Sequence, residues 1–576
     1  DVAPSRGLGD VYKRQILMLH SKNEDKMNKL FKSIISIIGL SMAFAGCVGD
    51  FDDMNTDPNN PTPGSVDPKF QLIFIQGRGI PYANQWQQID QLMISTFCEY
   101  SANDQLSASD YNIDARYVDN IWELTYTVLT NANSLIRANE SNPVHNNVVQ
   151  MARIWKAYAM LRLTNCMGDV PYSEAANDID QPKYDTQKDI YYTIFEELKD
   201  AVSKLDESAA NNVGSYDLIY GGDATKWKKF ANSIRLRMAV RISDVDAAKA
   251  KTEAAAAISA GVFSSDADAA FLTQGEDKFA QNPIYYHKGS SVLHMSTAYK
   301  RLVEGIGGQA WPTAADREAN KNITEVILTA KNAPAVVDPR APIHFEPAGI
   351  IESPATPSMN GNWDGTDPGH VASGVGAAMD NGQFVSDFSK IGPWYYETID
   401  RKYPLFKYSE LCFLKAIAIQ LGLTSGDAKT EYEAGVRSSM TELGVPESKI
   451  ENYLASTSPN YYGTTAKYDD VTGTNNTPMD KILTQKYIAQ FQECSFETWA
   501  DHRQFHKPTL MPFANVSSSV FNMNPSDQAN NTPNAYIKRI YYPSSEYTVN
   551  EANVKEAEKR MGGSNSIQNN LWWDVN

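Results

Sequence analysis

Cysteine is scarce in this 576-residue chain. The five residues, Cys47, Cys98, Cys166, Cys412 and Cys494, stand far apart, and no CxxC pair occurs. Disulfide frameworks belong to small secreted domains, so a disulfide-stapled fold is excluded. Cys98, Cys166, Cys412 and Cys494 lie in apolar, helical-looking contexts and are expected as buried free thiols, which pack as small hydrophobes. Catalytic signatures are missing as well: there is no HExxH, no GxSxG and no Walker A loop. Long hydrophobic runs are absent; the apolar run at Ile34–Ala45 covers about 12 residues, where a bilayer-spanning helix needs roughly 20. Positive charge is short, with 52 Lys and Arg against 69 Asp and Glu, a net charge of −17. That balance argues against nucleic acid, whose phosphates demand cationic neutralisation.

What is present begins with a leader. Lys29 and Lys32 precede the apolar run, which closes on Phe44-Ala45-Gly46-Cys47. A basic start, a short apolar stretch and small residues at the cut define a secretory signal. A cysteine directly after the cut points to a lipoprotein with acyl chains on Cys47. The expected organisation is an upstream extension at 1–26 and a signal peptide at 27–46, starting from Met27 rather than Met18. An anchor and tether follow at 47–65, then a single domain at 66–576. The leader holds seven Lys and Arg against four Asp and Glu, so residues 47–576 carry −20. The tether is dense in Pro, Asn and Gly (Asn55 to Gly64), which rules out helix and central strand.

The body reads as mainly α. Helical periodicity runs through about 66–260 and 400–510, clearest at Val148–Cys166, Gln187–Leu205, Ala224–Ile242, Ala247–Ala260 and Pro478–Phe496. Trp227, Phe230, Ala231 and Ile234, with Ser243 and Ala250, match the spacing of a tetratricopeptide repeat. Ala416, Ala428, Tyr432 and Gly435 do the same near 409–440. Residues 261–400 and 456–477 are rich in Gly, Pro, Asn and Asp. They read as long insertions, the usual place for binding residues.

Motifs spread along the chain resemble the SusD/RagB nutrient-binding outer-membrane lipoproteins of Bacteroidetes. They include Asp50, Asp52 and Asp53 after Cys47, and Met167-Gly168-Asp169-Val170-Pro171-Tyr172. Asp217 to Asp223, Asn232-Ser233, Leu236-Arg237 and Asp338-Pro339-Arg340 follow. Gln485-Lys486-Tyr487, Trp499-Ala-Asp501-His-Arg503, Arg539-Ile-Tyr-Tyr-Pro543 and the closing Leu571-Trp572-Trp573-Asp574 complete the series. One departure falls in Lys415-Ala-Ile-Ala418, where the family commonly has Glu between the alanines. The motif residues read as scaffold, with Asn232, Ser233, Arg235 and Arg237 expected to tie their helix to neighbouring loops. The resemblance implies a SusD-like α-α superhelix of tetratricopeptide-like helix pairs with long irregular inserted loops. It also implies a lid over a SusC-type TonB-dependent transporter, passing on a glycan or peptide from the surface of the outer membrane.

No cofactor and no metal site is expected. His502 and His506 stand at i, i+4 but lack a third ligand. Asp364 and Asp367 fall short of the six to eight oxygens Ca²⁺ takes, so that loop reads as a turn. Binding should therefore rest on aromatics, whose faces meet sugar C–H groups. Tyr82, Trp86, Tyr111, Tyr117, Tyr285, Tyr286, Trp311, Trp363 and Trp394 to Tyr396 are the loop aromatics. Trp86, Tyr111, Tyr286 and Trp311 are the expected ligand contacts. A surface glycoside hydrolase or peptidase, and a non-catalytic adhesin or scaffold, are the rival readings.

Overall fold

Short polar side chains set the helix starts. Thr186, Asp223, Asp246 and Thr477 each accept a backbone N–H in the first turn that follows them. Such caps satisfy donors that a helix leaves orphaned. At Thr477 the partner Asp480 completes a capping box and Pro478 occupies the first helical position. The helices so defined are α1 Pro68–Gly79, α2 Ala115–Asn139, α3 Asn146–Met167, α4 Gln187–Lys204, α5 Ala224–Arg241 and α6 Ala247–Ser259. Later come α7 Tyr408–Gln420, α8 Ala428–Glu442, α9 Glu447–Leu454, α10 Pro478–Ala489, α11 Ser495–Phe505 and α12 Glu551–Arg560. This computed structural model describes residues 66–79, 85, 87–102, 113, 115–177, 179–273, 293–348, 361–365, 379–380, 383–384, 388–398, 401–510 and 537–575.

Successive helices pack on one another from α1 to α6, and α7 packs against α5, α8 and α10. The mainly α architecture expected from the periodicity is the one observed. Small residues allow the close helix contacts. Ala231, Ala250 and Ala416 are fully buried, and a Cβ on Gly435 would stand 2.8 Å from the Phe413 ring. Helix α3 stops at Gly168, which has φ +89° and returns its N–H to Thr164. Ile417, at the position of the departure, is buried in α7 among apolar neighbours, so no partner for a charge is needed there. Cys98, Cys166, Cys412 and Cys494 are buried free thiols.

One helix was expected from Pro478 to Phe496; the structure has two. The chain breaks after Ala489, passes through Gln492 at φ +57°, and restarts at Ser495. The break places Glu493 against Arg401 and Lys407, an ion-pair site no continuous helix would present there. A second correction concerns the polar face of α5. Asn232 reaches the carbonyls of Ala260 and Gly261 just past α6, as expected. Arg235 and Arg237 instead bind other helices, pairing with Glu253 on α6 at 3.0 Å and Glu410 on α7 at 2.8 Å.

Arg237 belongs to a buried cluster that locks α5, α7, α10 and α11. Arg237 also approaches Glu497 at 3.5 Å, and Arg241 pairs with Asp501 at 2.7 Å and Glu497 at 3.4 Å. Lys486 pairs with Asp501 and lies 3.9 Å from Glu410. Three cations meet three carboxylates, so the cluster is neutral as a whole. Arg340, also fully buried, clasps Asp338 through two hydrogen bonds of 2.9 and 2.7 Å and reaches Ser439 on α8. The closing residues are pinned by Trp573, whose Nε1 donates to Asn165 and whose ring lies under Arg503.

Short strands run through the insertion. β1 Ser101–Ala102, β3 His294–Met295, β5 Lys390–Ile391 and β4 Phe345–Glu346 make an antiparallel sheet in the order β1-β3-β5-β4. β2 Ala270–Leu272 pairs with β6 Tyr403–Phe406, with Leu272 opposite Tyr403. This second ladder fixes residues 401–402 beside the start of α5.

Candidate aromatic binding face

Of the expected ligand contacts, Trp311 is described. Trp86, Tyr111 and Tyr286 lie outside the described residues, as does the anchor Cys47. Trp311 is half-buried, meets Trp363 edge to face at 5.0 Å, and donates from Nε1 to the Ile327 carbonyl at 3.0 Å. Trp363 is fully buried and donates to Glu304 at 3.0 Å. Burial raises the Glu304 carboxyl above its usual range, against the pull of Lys300 and Trp363. Trp311 is thus a rigid half-exposed ring with its polar handle already satisfied, presenting an apolar face at little entropic cost.

The other loop aromatics divide by burial. Tyr117 on α2, Trp363 and Tyr395 are interior residues and serve the core. Trp394 and Tyr396, in the turn Pro393–Tyr396, keep part of their surface. Trp311 and Trp394 both pack on one small apolar cluster of Ile323, Ile327, Ile343 and Leu443. Arg401 stacks on Trp394 with its guanidinium 4.5 Å from the ring centre, donates to the Trp394 carbonyl, and pairs with Glu493.

Beside Trp394 lies an open groove of about 600 Å³. Its aromatic walls are Trp394, Phe271 on β2 and Tyr220 in the loop entering α5. Tyr220 is held by its hydroxyl, which donates to the Asp268 carbonyl at 2.8 Å, and by edge contacts with Trp227 and Phe230. Sequence reasoning missed Tyr220 and Phe271, because each looks like an ordinary core aromatic until β2 and β6 are paired. A second, enclosed cavity of about 30 Å³ lies between α3, α5 and Tyr403–Leu405, lined by Arg162, Arg237 and Glu497. It is sized for a water in the ion cluster rather than for a ligand.

The metal candidates resolve into structural roles. Asp364 is paired with Lys300 at 2.9 Å, and Asp367 lies outside the described residues. His502 is buried in α11, where burial and the neighbouring His506 and Arg503 push its imidazole down to about 3. His506 caps the helix in the left-handed conformation. Among the described residues no three His, Cys, Asp or Glu cluster as a metal site would require.

The chain is a scaffold of stacked helix pairs that carries a half-exposed aromatic face. The chain belongs to the SusD-like family, whose sequence model, described as starch-binding and associating with outer membrane, matches residues 74–543. Proteins of this family bind without catalysis, and this chain is a binding protein and not an enzyme. A SusD homologue from Parabacteroides distasonis is 32% identical, with TM-score 0.78, over 89% of this chain and 98% of that one. A chitin-binding SusD homologue from Flavobacterium johnsoniae is 25% identical, with TM-score 0.67, over 88% and 98%. A SusD homologue from Bacteroides uniformis shares the fold at 23% identity and TM-score 0.68, over 89% and 100%. No curated protein matches in sequence. Among the described residues no helix is long and apolar enough to cross a membrane.

Proposed function

We propose that this chain is a surface-exposed outer-membrane lipoprotein, anchored through Cys47, that captures a glycan and delivers it to a SusC-type TonB-dependent transporter. Family membership across residues 74–543 carries the reading. Glycan is favoured over peptide because the family description names starch and one structural relative is chitin-binding. Trp311 is the described member of the proposed contact set Trp86, Tyr111, Tyr286 and Trp311, and its half-exposed ring suits stacking on a sugar. The domain limits at 66–576 and the anchor and tether at 47–65 belong to the same proposal. They leave the body free to move over the pore while the lipid holds it near.

The test has two arms. A Trp86→Ala/Trp311→Ala variant, titrated calorimetrically against a glycan bound by the unaltered protein, should lose most of its affinity. A Cys47→Ala variant should bind the same glycan in solution yet fail to support growth on it. Normal growth of the Cys47→Ala strain would sink the anchored-lid reading.

A further inference from the structure

The groove beside Trp394 has an uneven supply of hydrogen-bonding groups. Its two carboxylates each have one partner within the protein. Glu442 receives Lys407 at 3.0 Å, and Asp266 accepts the Ser438 hydroxyl at 2.5 Å. Arg401 is committed too, to Glu493 and to the face of Trp394. Two further cations line the groove. Lys226, in the first turn of α5, and Lys402, just ahead of β6, line the groove, and neither ammonium has an ion-pair partner among the described residues. Tyr220 brings its ring, with its hydroxyl proton donated to the Asp268 carbonyl.

A groove with two ammoniums free of ion pairs among the described residues, set between aromatic walls, has positive charge to spare. It suits a ligand that brings its own acceptors and charge together with an apolar ring face. The volume falls within the range of small-ligand sites. We infer that this groove is a subsite for an acidic saccharide, whose carboxylates meet Lys226 and Lys402 while a ring lies against Trp394, Tyr220 or Phe271. This rests on the reading of the chain as a glycan receptor, and it adds the ligand's charge class and a second contact surface.

Local charge decides the matter despite the acidic body. At physiological salt the Debye length is about 8 Å, so distant carboxylates are screened while groups lining the groove act at contact. Lysine also suits the role as a compact, mobile point charge that can follow a carboxylate around a flexible ring.

The experiment is calorimetric titration of the full chain with trigalacturonate, maltotriose and chitotriose, at low and high salt. Lys226→Gln/Lys402→Gln is the test variant. Both side chains lack ion-pair partners, so their replacement spares the fold, and circular dichroism with thermal melting verifies this. Trigalacturonate should bind, weaken at high salt, and lose at least tenfold in affinity in the variant. Any neutral-sugar affinity should be unchanged. Trigalacturonate binding that the variant leaves intact, or binding of a neutral trisaccharide alone, would overturn the subsite and leave the receptor reading standing. Failure of all three sugars, together with a wider polysaccharide panel, would overturn the receptor reading itself.

Discussion

Asp90 is a fully buried carboxyl in the π-helical turn Gln87–Ile94, with Ser495 and Arg162 as the neighbours that favour its charged form. Burial pushes its pKa up to about 8; Ser495 and Arg162 draw it down by less, and Glu493 pushes it further up. An acid favoured as the neutral form in the native state stabilises the fold least at high pH. Its cost is absent below the unfolded value of 3.8 and grows as pH rises towards 8. Each pH unit in that window is worth about 1.4 kcal/mol. At pH 7 the native state therefore gives up about 4 kcal/mol to keep this carboxyl inside, and at pH 5 about 1.5 kcal/mol.

Asp90→Asn keeps the shape and removes the ionisation. It should stabilise the protein by an amount close to those figures, large near neutrality and vanishing below about pH 4. Urea unfolding followed by tryptophan fluorescence, run on both proteins from pH 4 to 7.5, measures the difference directly. A gain that did not vary with pH would mean the carboxyl is ionised and solvated in the native state. A loss of stability at pH 7 would refute the argument altogether.

Two further predictions concern the scaffold. Arg237→Met and Glu410→Leu should each cost about 3–5 kcal/mol, because each leaves one uncompensated charge in a buried neutral cluster. The double variant restores neutrality and should cost far less than the sum, so additive costs in a double-mutant cycle would show that the pair does not share a closed site. Gly435→Ala would gain about 1 kcal/mol on an exposed helix from propensity alone. Here its Cβ would stand 2.8 Å from the buried Phe413 ring, and overpacking of about 1–3 kcal/mol should win. A stabilised Gly435→Ala protein would mean that Phe413 can yield.

The helix pairs were legible because their causes are local. Thr186, Asp223 and Asp246 announce a start within three residues, and Gly168 and Gly261 announce a stop. The Trp227 and Tyr432 patterns were legible for the same reason, since spacing alone puts Ala231 and Gly435 at contacts where bulk would not fit. The break at Gln490 was not legible. Periodicity runs straight through it, and the partners that hold Glu493 just beyond it, Arg401 and Lys407, lie 92 and 86 residues away. The roles of Arg235 and Arg237 were half legible: an arginine on a buried helix face needs a partner, but only the packing says that the partners are Glu253 and Glu410. Trp311 could be nominated as a loop aromatic. Its fixed edge contact with Trp363 could not, because 52 residues separate them.

Tyr220, Lys226, Phe271, Trp394 and Lys402 share no motif. The β2–β6 ladder and the first turn of α5 bring them together, and the protein itself holds the aromatic walls. Tyr220 is fastened by Asp268, Trp394 by the stacked Arg401, and residues 401–402 by their place ahead of β6. A groove with prearranged walls loses little entropy when filled, so even a modest set of contacts yields useful affinity. The charge pattern adds direction. The chain carries a net charge of −17, and Lys226 and Lys402 set positive charge against that background at one place. That local charge then sharpens the register of binding, because a misplaced carboxylate loses the contact that a correct one gains.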